Sequence, residues 1–219
     1  MPNVISCIFG WSGLDRAAVG VLGTGQRLAK ELAGKHCVLL VGAATDSAVT
    51  NLAAATIPGT LLDELACFAD SVHTTDHPLL AKYHSETTLV ALTQACGALQ
   101  PHAVLLGNDT YSQELAPRLA HRLGGSAAGD ALALQVKDGA IFVTRPVYGG
   151  KAQAVVALRR APAVVWLRAR AQAPAQRQSR QAEVSPIAIS AEGNLTRPKL
   201  GQAFNRVHDR DIIRGLVFK

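Results

Sequence analysis

Aromatic side chains are scarce in this sequence, 5% of 219 residues, and charged ones make up only 17%. A core built on stacked rings is excluded, and the interior must come from Ala, Val and Leu. Hydrophobic residues at 48% also exclude wholesale disorder. No apolar run approaches the roughly 18 residues that span a bilayer. The start, Met1-Pro2-Asn3-Val4-Ile5, enters an apolar stretch without the basic segment of a secretory leader. The four cysteines (Cys7, Cys37, Cys67 and Cys96) lack metal-ligand spacing and each falls in an apolar segment. They read as reduced core thiols of a cytoplasmic protein. His73 and His77 lie four apart, but Pro78 marks a loop there, and no other histidine pair has ligand spacing. Nor is there a G-x-S-x-G elbow or another nucleophile motif.

What is present is unevenly placed. Residues 1–138 carry 12 acidic against 8 basic side chains. Residues 139–182 carry eight basic ones (Arg145, Lys151, Arg159, Arg160, Arg168, Arg170, Arg177, Arg180) and no acidic one. Such a block can mark a nucleic-acid face. Here no aromatics interleave with the arginines, and Arg145 and Arg168 stand inside strand-like runs, so the block reads as a solvated face or a protein interface. No nucleic-acid or membrane partner is expected.

Apolar runs over 4–9, 36–41 and 103–106 read as buried strands, with another strand over 71–75. Helical spacing follows over 15–32, weakened by glycines at 20, 23 and 25. It recurs over 85–99, where Leu89, Leu92, Cys96 and Leu99 share a face and Ser85 is the expected cap. Asp46-Ser47 is expected to cap a helix through Ala55. Leu115, Leu119 and Leu123 mark a further helix, expected to begin late so that Pro117 falls in its first turn. Strands alternating with helices imply an α/β fold of three layers, a mostly parallel sheet with helices on both faces. The second half changes character: runs over 131–136, 141–147, 153–158 and 163–167, separated by turns, predict antiparallel hairpin strands. Residues 171–178 read as a linker. The segment 183–219, with a short β-like run over 187–189, is too short for its own core. It is expected to lie along a partner or to be partly disordered. The expected division is a domain over 1–172 and a linker with C-terminal tail over 173–219.

Four features together form a family pattern. They are Glu114-Leu115-Ala116-Pro117-Arg118-Leu119-Ala120-His121-Arg122-Leu123-Gly124 after a Gly/Asn/Thr turn, the step Gly129-Asp130, the hairpin Thr144-Arg145-Pro146-Val147-Tyr148-Gly149-Gly150-Lys151, and the strand Ala163-Val164-Val165-Trp166-Leu167-Arg168. In order and spacing they resemble the N-terminal, non-flavin domain of the electron-transfer flavoprotein α subunit, over roughly residues 1–175. Lys151 stands where the family has Asn, and Ala169 where it has Pro after the arginine. The resemblance implies an adenine-nucleotide-hydrolase-like fold and a structural and docking role in electron transfer from a dehydrogenase to an acceptor. It implies no catalytic residues of the chain's own. The implied partners are an electron-transfer flavoprotein β subunit, a flavin-binding domain supplied in trans, and an acyl-CoA or other dehydrogenase. The family's FAD-holding domain has no counterpart in the 37 residues after Ala182. FAD is therefore expected in the assembled complex and not on this chain alone, with AMP a possible ligand of the β subunit.

Two groups of residues are candidates. Asn108, Asp109, Thr110 and Ser112 follow a parallel strand at the edge where open α/β sheets bind ligands, and the next helix offers free N–H groups to an anion. They would serve a stand-alone adenine-nucleotide-binding module. The plainer reading is that Asp109 and Ser112 cap that helix. Arg145, Tyr148, Lys151 and Arg168 are interface or structural candidates, with an ion pair from Arg145 to Asp130 as the internal alternative. The run Gly20-x-x-Gly23-x-Gly25 looks like a dinucleotide fingerprint, but it falls inside a helix and its third glycine is misplaced.

Overall fold

The computed structural model describes residues 1–44, 56–57, 59–168, 170–179 and 181–190. The helix expected after Asp46 lies outside the described residues. The chain opens with β1 (Asn3–Phe9), whose residues alternate between two helical layers. Val4 and Ile8 pack towards α1 (Arg16–Glu31), while Ile5, Cys7 and Phe9 pack towards the opposite layer. Next come β2 (Lys35–Ala44), the two-residue β3 (Thr56–Ile57), α2 (Gly59–Ala66) and β4 (Ser71–Asp76). Then α3 (Ser85–Leu99), β5 (Ala103–Leu106) and α4 (Thr110–Arg122) complete the helical half. The second half contributes β6 (Ser126–Ala131), β7 (Ala133–Lys137), β8 (Ala140–Val147), β9 (Ala152–Leu158), β10 (Ala163–Leu167) and β11 (Glu183–Ile187).

The main sheet runs β11-β4-β2-β1-β5-β10-β6 with every neighbouring pair parallel, and β3 adds to the end of β2. Helices α1 and α2 cover one face, α3 and α4 the other, which gives the three expected layers. The chain winds outward from β1 in both directions, so the strand order reverses between β1 and β5. β7, β8 and β9 form a separate antiparallel sheet, as the second half predicted. β10 then returns to the main sheet, between β5 and β6, rather than closing a hairpin.

Three local expectations need correction. Helix α3 is capped by His84, whose Nδ1 lies 3.2 Å from Thr87 Oγ1; Ser85 is the first helical residue. Helix α4 starts at Thr110, so Pro117 sits in its interior. An interior proline costs about 3 kcal/mol. Full burial of Leu115 and Leu119, each worth about 2 kcal/mol, offsets it. The third is β6, which the sequence did not suggest. Its Ser-Ala-Ala-Gly-Asp-Ala run has poor strand propensity, but small residues are required there, because a Cβ on Gly129 would fall inside the Trp166 ring.

The segment read as a linker is bound along its own domain. Gly20 and Gly23 leave α1 without side chains where residues 172–175 cross it, and a Cβ on Gly23 would overlap the backbone there. Ala175 N donates to Val19 O (3.1 Å), Gln178 N to Cys67 O (2.7 Å) and Ala182 N to Ala66 O (2.8 Å). Gln26 pairs with the Gln176 peptide as a second backbone would, Nε2 donating to O at 2.7 Å and Oε1 accepting from N at 2.9 Å. Gln94 repeats this with Ser190, at 3.2 and 2.9 Å. Between these anchors β11 pairs with β4 over its whole length. Of the segment 183–219, expected along a partner or partly disordered, Glu183–Ile187 therefore extends this chain's own sheet, and residues 191–219 lie outside the described residues.

Candidate functional site

The reversal of strand order places two loops side by side at the carboxyl edge of the sheet, the location where doubly wound α/β domains bind ligands. One follows β1 and turns through Gly13, whose φ of +66° suits glycine, before Asp15 caps α1 by accepting from Ala18 N at 2.7 Å. The other is Gly107-Asn108-Asp109. Between them lies a cleft of about 250 Å³, lined by Phe9, Ser12, Asp15, Asn108 and Asp109 among others.

Asp109 is fully engaged in this loop. Its Oδ1 accepts from Ser112 N and its Oδ2 from Ser112 Oγ, both at 2.7 Å, with Ser112 buried. A carboxylate already holds the N-terminus of α4, so that terminus repels an anion rather than receiving one. Thr110 is exposed in the first turn, and Asn108, half-buried, is the candidate that both lines the cleft and is free of the cap. Beneath it the Cys7 thiol is pushed well up, chiefly by burial and then by Cys96 and Asp109, so it stays protonated and unreactive.

Beside the cleft four of the ten aromatic residues gather. Phe9 stacks on Trp11 with centroids 4.8 Å apart, and Tyr83, just before α3, and Tyr111, on α4, close against Trp11, 4.0 Å from each other. Tyr83 donates to Glu114 at 2.7 Å; burial first and this bond second raise its pKa. Trp11 was legible only as part of a turn, and two of its three ring partners, Tyr83 and Tyr111, are distant in sequence.

The second candidate group is divided. Arg145 lies on β8, while Tyr148, Gly149 and Gly150 form a turn in which all three have positive φ, and Tyr148 is 83% exposed. Lys151 follows, exposed. Arg145 Nε is buried without a hydrogen-bond partner. The alternative partner, Asp130, pairs with Arg168 at 3.4 Å. Arg168 belongs to a different place: it ends β10 at the carboxyl edge, where it shares a notch with Asn108. Two signals were missed in the sequence. The glycine run on α1 is the bed of the 172–175 crossing and, at Gly25, makes room for the buried His36 and Ser6 side chains. Arg16 and Arg170 join Arg168 at that notch.

The donor set does not fit a flavin dinucleotide. The carboxyl-edge cleft is at the lower limit of ligand pockets, and two carboxylates but no cation line it, where a diphosphate needs donors. Among the described residues no group of three or more His, Cys, Asp or Glu side chains is arranged to hold a metal, and no helix is long and apolar enough to cross a membrane.

Fold and edge define the class: a doubly wound parallel α/β domain bearing an accessory antiparallel sheet. The electron transfer flavoprotein domain model matches residues 12–192. The chain belongs to that family, as an N-terminal domain of the α-subunit type. It is 28% identical over 144 residues to the electron transfer flavoprotein subunit alpha of Thermoanaerobacterium thermosaccharolyticum, covering 65% of this chain and 40% of that protein. Against protein FixB of Rhizobium meliloti it is 30% identical over 165 residues, covering 74% and 44%. Against the subunit alpha of Bacillus subtilis it is 32% identical over 84 residues, covering 38% and 26%. The matches thus span about two fifths of the first two relatives, from 40 to 44%.

Proposed function

We propose that this chain acts as the structural and docking domain of an electron-transfer flavoprotein. It would bind a β subunit and help hold a flavin domain, supplied in trans, between a dehydrogenase and an electron acceptor. A cytoplasmic site of action accords with four free thiols in the chain. FAD, where bound, supplies the redox chemistry; this chain supplies shape and surface. The observation that carries the reading is the accessory sheet. Its inner side, with Leu134, Ile141 and Val143, packs on the main core. Its edge strand β9 and the adjoining turn instead present Val155 (65% exposed), on the outer face, and Tyr148 (83%) to solvent, while Val156, on the inner face opposite Val143, is 37% exposed at the sheet's edge. Aliphatic and tyrosine side chains beside the exposed Lys151 have the make-up of a protein interface with an apolar centre and a polar rim. The nucleotide-binding alternative is less well supported, because Asp109 occupies the helix terminus that a phosphate would use.

Coexpression with an electron-transfer flavoprotein β subunit from the same genome, followed by gel filtration, tests the proposal. A one-to-one complex, lost in Tyr148→Glu, is expected. Elution of the chain as an unaltered monomer in the presence of that subunit overturns it.

A further inference from the structure

Three arginines from two separate segments line one notch at the carboxyl edge of the sheet, in a region that the docking role does not use. Arg16 is the first residue of α1, Arg168 follows the last residue of β10, and Arg170 lies in the turn beyond it. Together with Asn108 they line a notch of about 20 Å³ that no carboxylate lines.

Two of the three positions carry a local cost that their own packing does not explain. Arg16 places a cation at the positive end of a helix, where the dipole disfavours it. Arg170 holds a φ of +62°, a conformation uncommon for a residue with a side chain. Among the described residues neither has an ion-pair partner, and Arg168 alone is paired, with Asp130. The nearby carboxylates Asp15 and Asp109 face the adjoining cleft, each engaged by the backbone of its own helix.

We propose that the Arg16–Arg168–Arg170 notch is a binding site for a phosphate-type oxyanion. A volume near 20 Å³ exceeds the roughly 10–15 Å³ that one water needs, so it admits the leading oxygens of a single head group and no side chain. Three guanidinium groups lining one notch offer more donors than one planar carboxylate can accept from, and match the several acceptor oxygens of a tetrahedral anion better. The notch is continuous with the 250 Å³ cleft through Ala17, Val21, Gly107 and Asn108, which line both. A phosphate monoester could therefore rest its organic part against Phe9 and Ala18, while free phosphate would use the notch alone.

Calorimetric titration of the full chain at low salt with sodium phosphate, AMP and adenosine tests this. One phosphate is expected per chain, and the double variant Arg16→Gln with Arg170→Gln should weaken it by about tenfold or more. The single variant Arg170→Gln should give a smaller loss that Arg170→Lys partly restores. Arg159→Gln, on a different loop, should change nothing. AMP binding about tenfold tighter than phosphate assigns the site to a monoester, whereas equal affinities assign it to free phosphate; both support the site. No heat with phosphate or AMP overturns it. So does unchanged affinity in a folded Arg170→Gln variant, or an equal loss in Arg159→Gln, which would indicate a diffuse field rather than a site.

Discussion

The two sheets of this molecule use the same few residue types for opposite purposes. In the main sheet Val104, Leu105 and Leu106 of β5 are fully buried, with parallel strands on each side and helices above and below. In the accessory sheet only one face is covered, and Val155 of β9, on the uncovered face, is 65% exposed although it pairs with β8 as regularly as any core strand. Valine is therefore not evidence of a core. What separates the regions is the number of layers available to cover a strand. A strand left with one bare side and aliphatic residues on it has been given something other than stability to do.

The comparison can be broken or sharpened by substitution. The largest effect belongs to the centre of the parallel sheet: Leu105→Ala should lower the unfolding free energy by about 4 kcal/mol in urea titration. A smaller but distinctive effect comes from His36, buried beneath α1 with Nε2 2.9 Å from Ser6 Oγ and Nδ1 3.0 Å from Phe68 O. Burial, the largest influence, lowers its pKa from 6.5 to about 4 despite the opposing pull of Phe68 O and Asp70. Above pH 6.5 the ring is neutral in both states and has no effect. Between 6.5 and about 4 the unfolded chain takes up a proton that the folded chain refuses, so stability falls as pH falls, by about 3 kcal/mol across this window. Urea titrations at pH 7 and pH 4 should show the loss, and His36→Gln should flatten it.

Next in size is the crossing of residues 172–178 over α1. Gln26→Ala removes bonds to Phe68 O, Gln176 O and Gln176 N. It should cost about 2 kcal/mol and hasten proteolytic cleavage within 171–178. Unchanged cleavage would mean that the segment is held by its backbone bonds alone. The smallest effect is expected on β9: Val155→Ser should change unfolding by less than about 0.5 kcal/mol, and a larger loss would mean that this face is already covered.

Where sequence reading succeeded, and where it failed, follows from the same contrast. The runs at β1, β2 and β5 were legible because a strand buried on both faces must be continuously apolar. The accessory sheet was legible through its turns. β6 was not, since its identity is dictated by Trp166, a residue distant in sequence that needs Gly129 beneath it. The glycines of α1 were legible as an anomaly but not as the bed for residues 172–175, because their partners lie about 150 positions away. At the candidate site the loop 108–112 was found by its position after a strand. That Asp109 caps the following helix with Ser112 was the plainer reading of the sequence, since Asp at a strand-to-helix turn is a local signal, and the two bonds to Ser112 bear it out. The notch beside it combines Arg16 with Arg168 and Arg170, residues that only the parallel pairing of β5 with β10 brings together.

The central claim is that the bare side of the accessory sheet serves docking and not folding. Titrating a β subunit into the wild-type chain and into Val155→Glu, with urea unfolding of both measured in parallel, tests it most directly. The account predicts a loss of affinity of at least about tenfold with stability unchanged within about 0.5 kcal/mol. Equal affinity for the two chains, or a drop in stability that accounts for the lost binding, would contradict it.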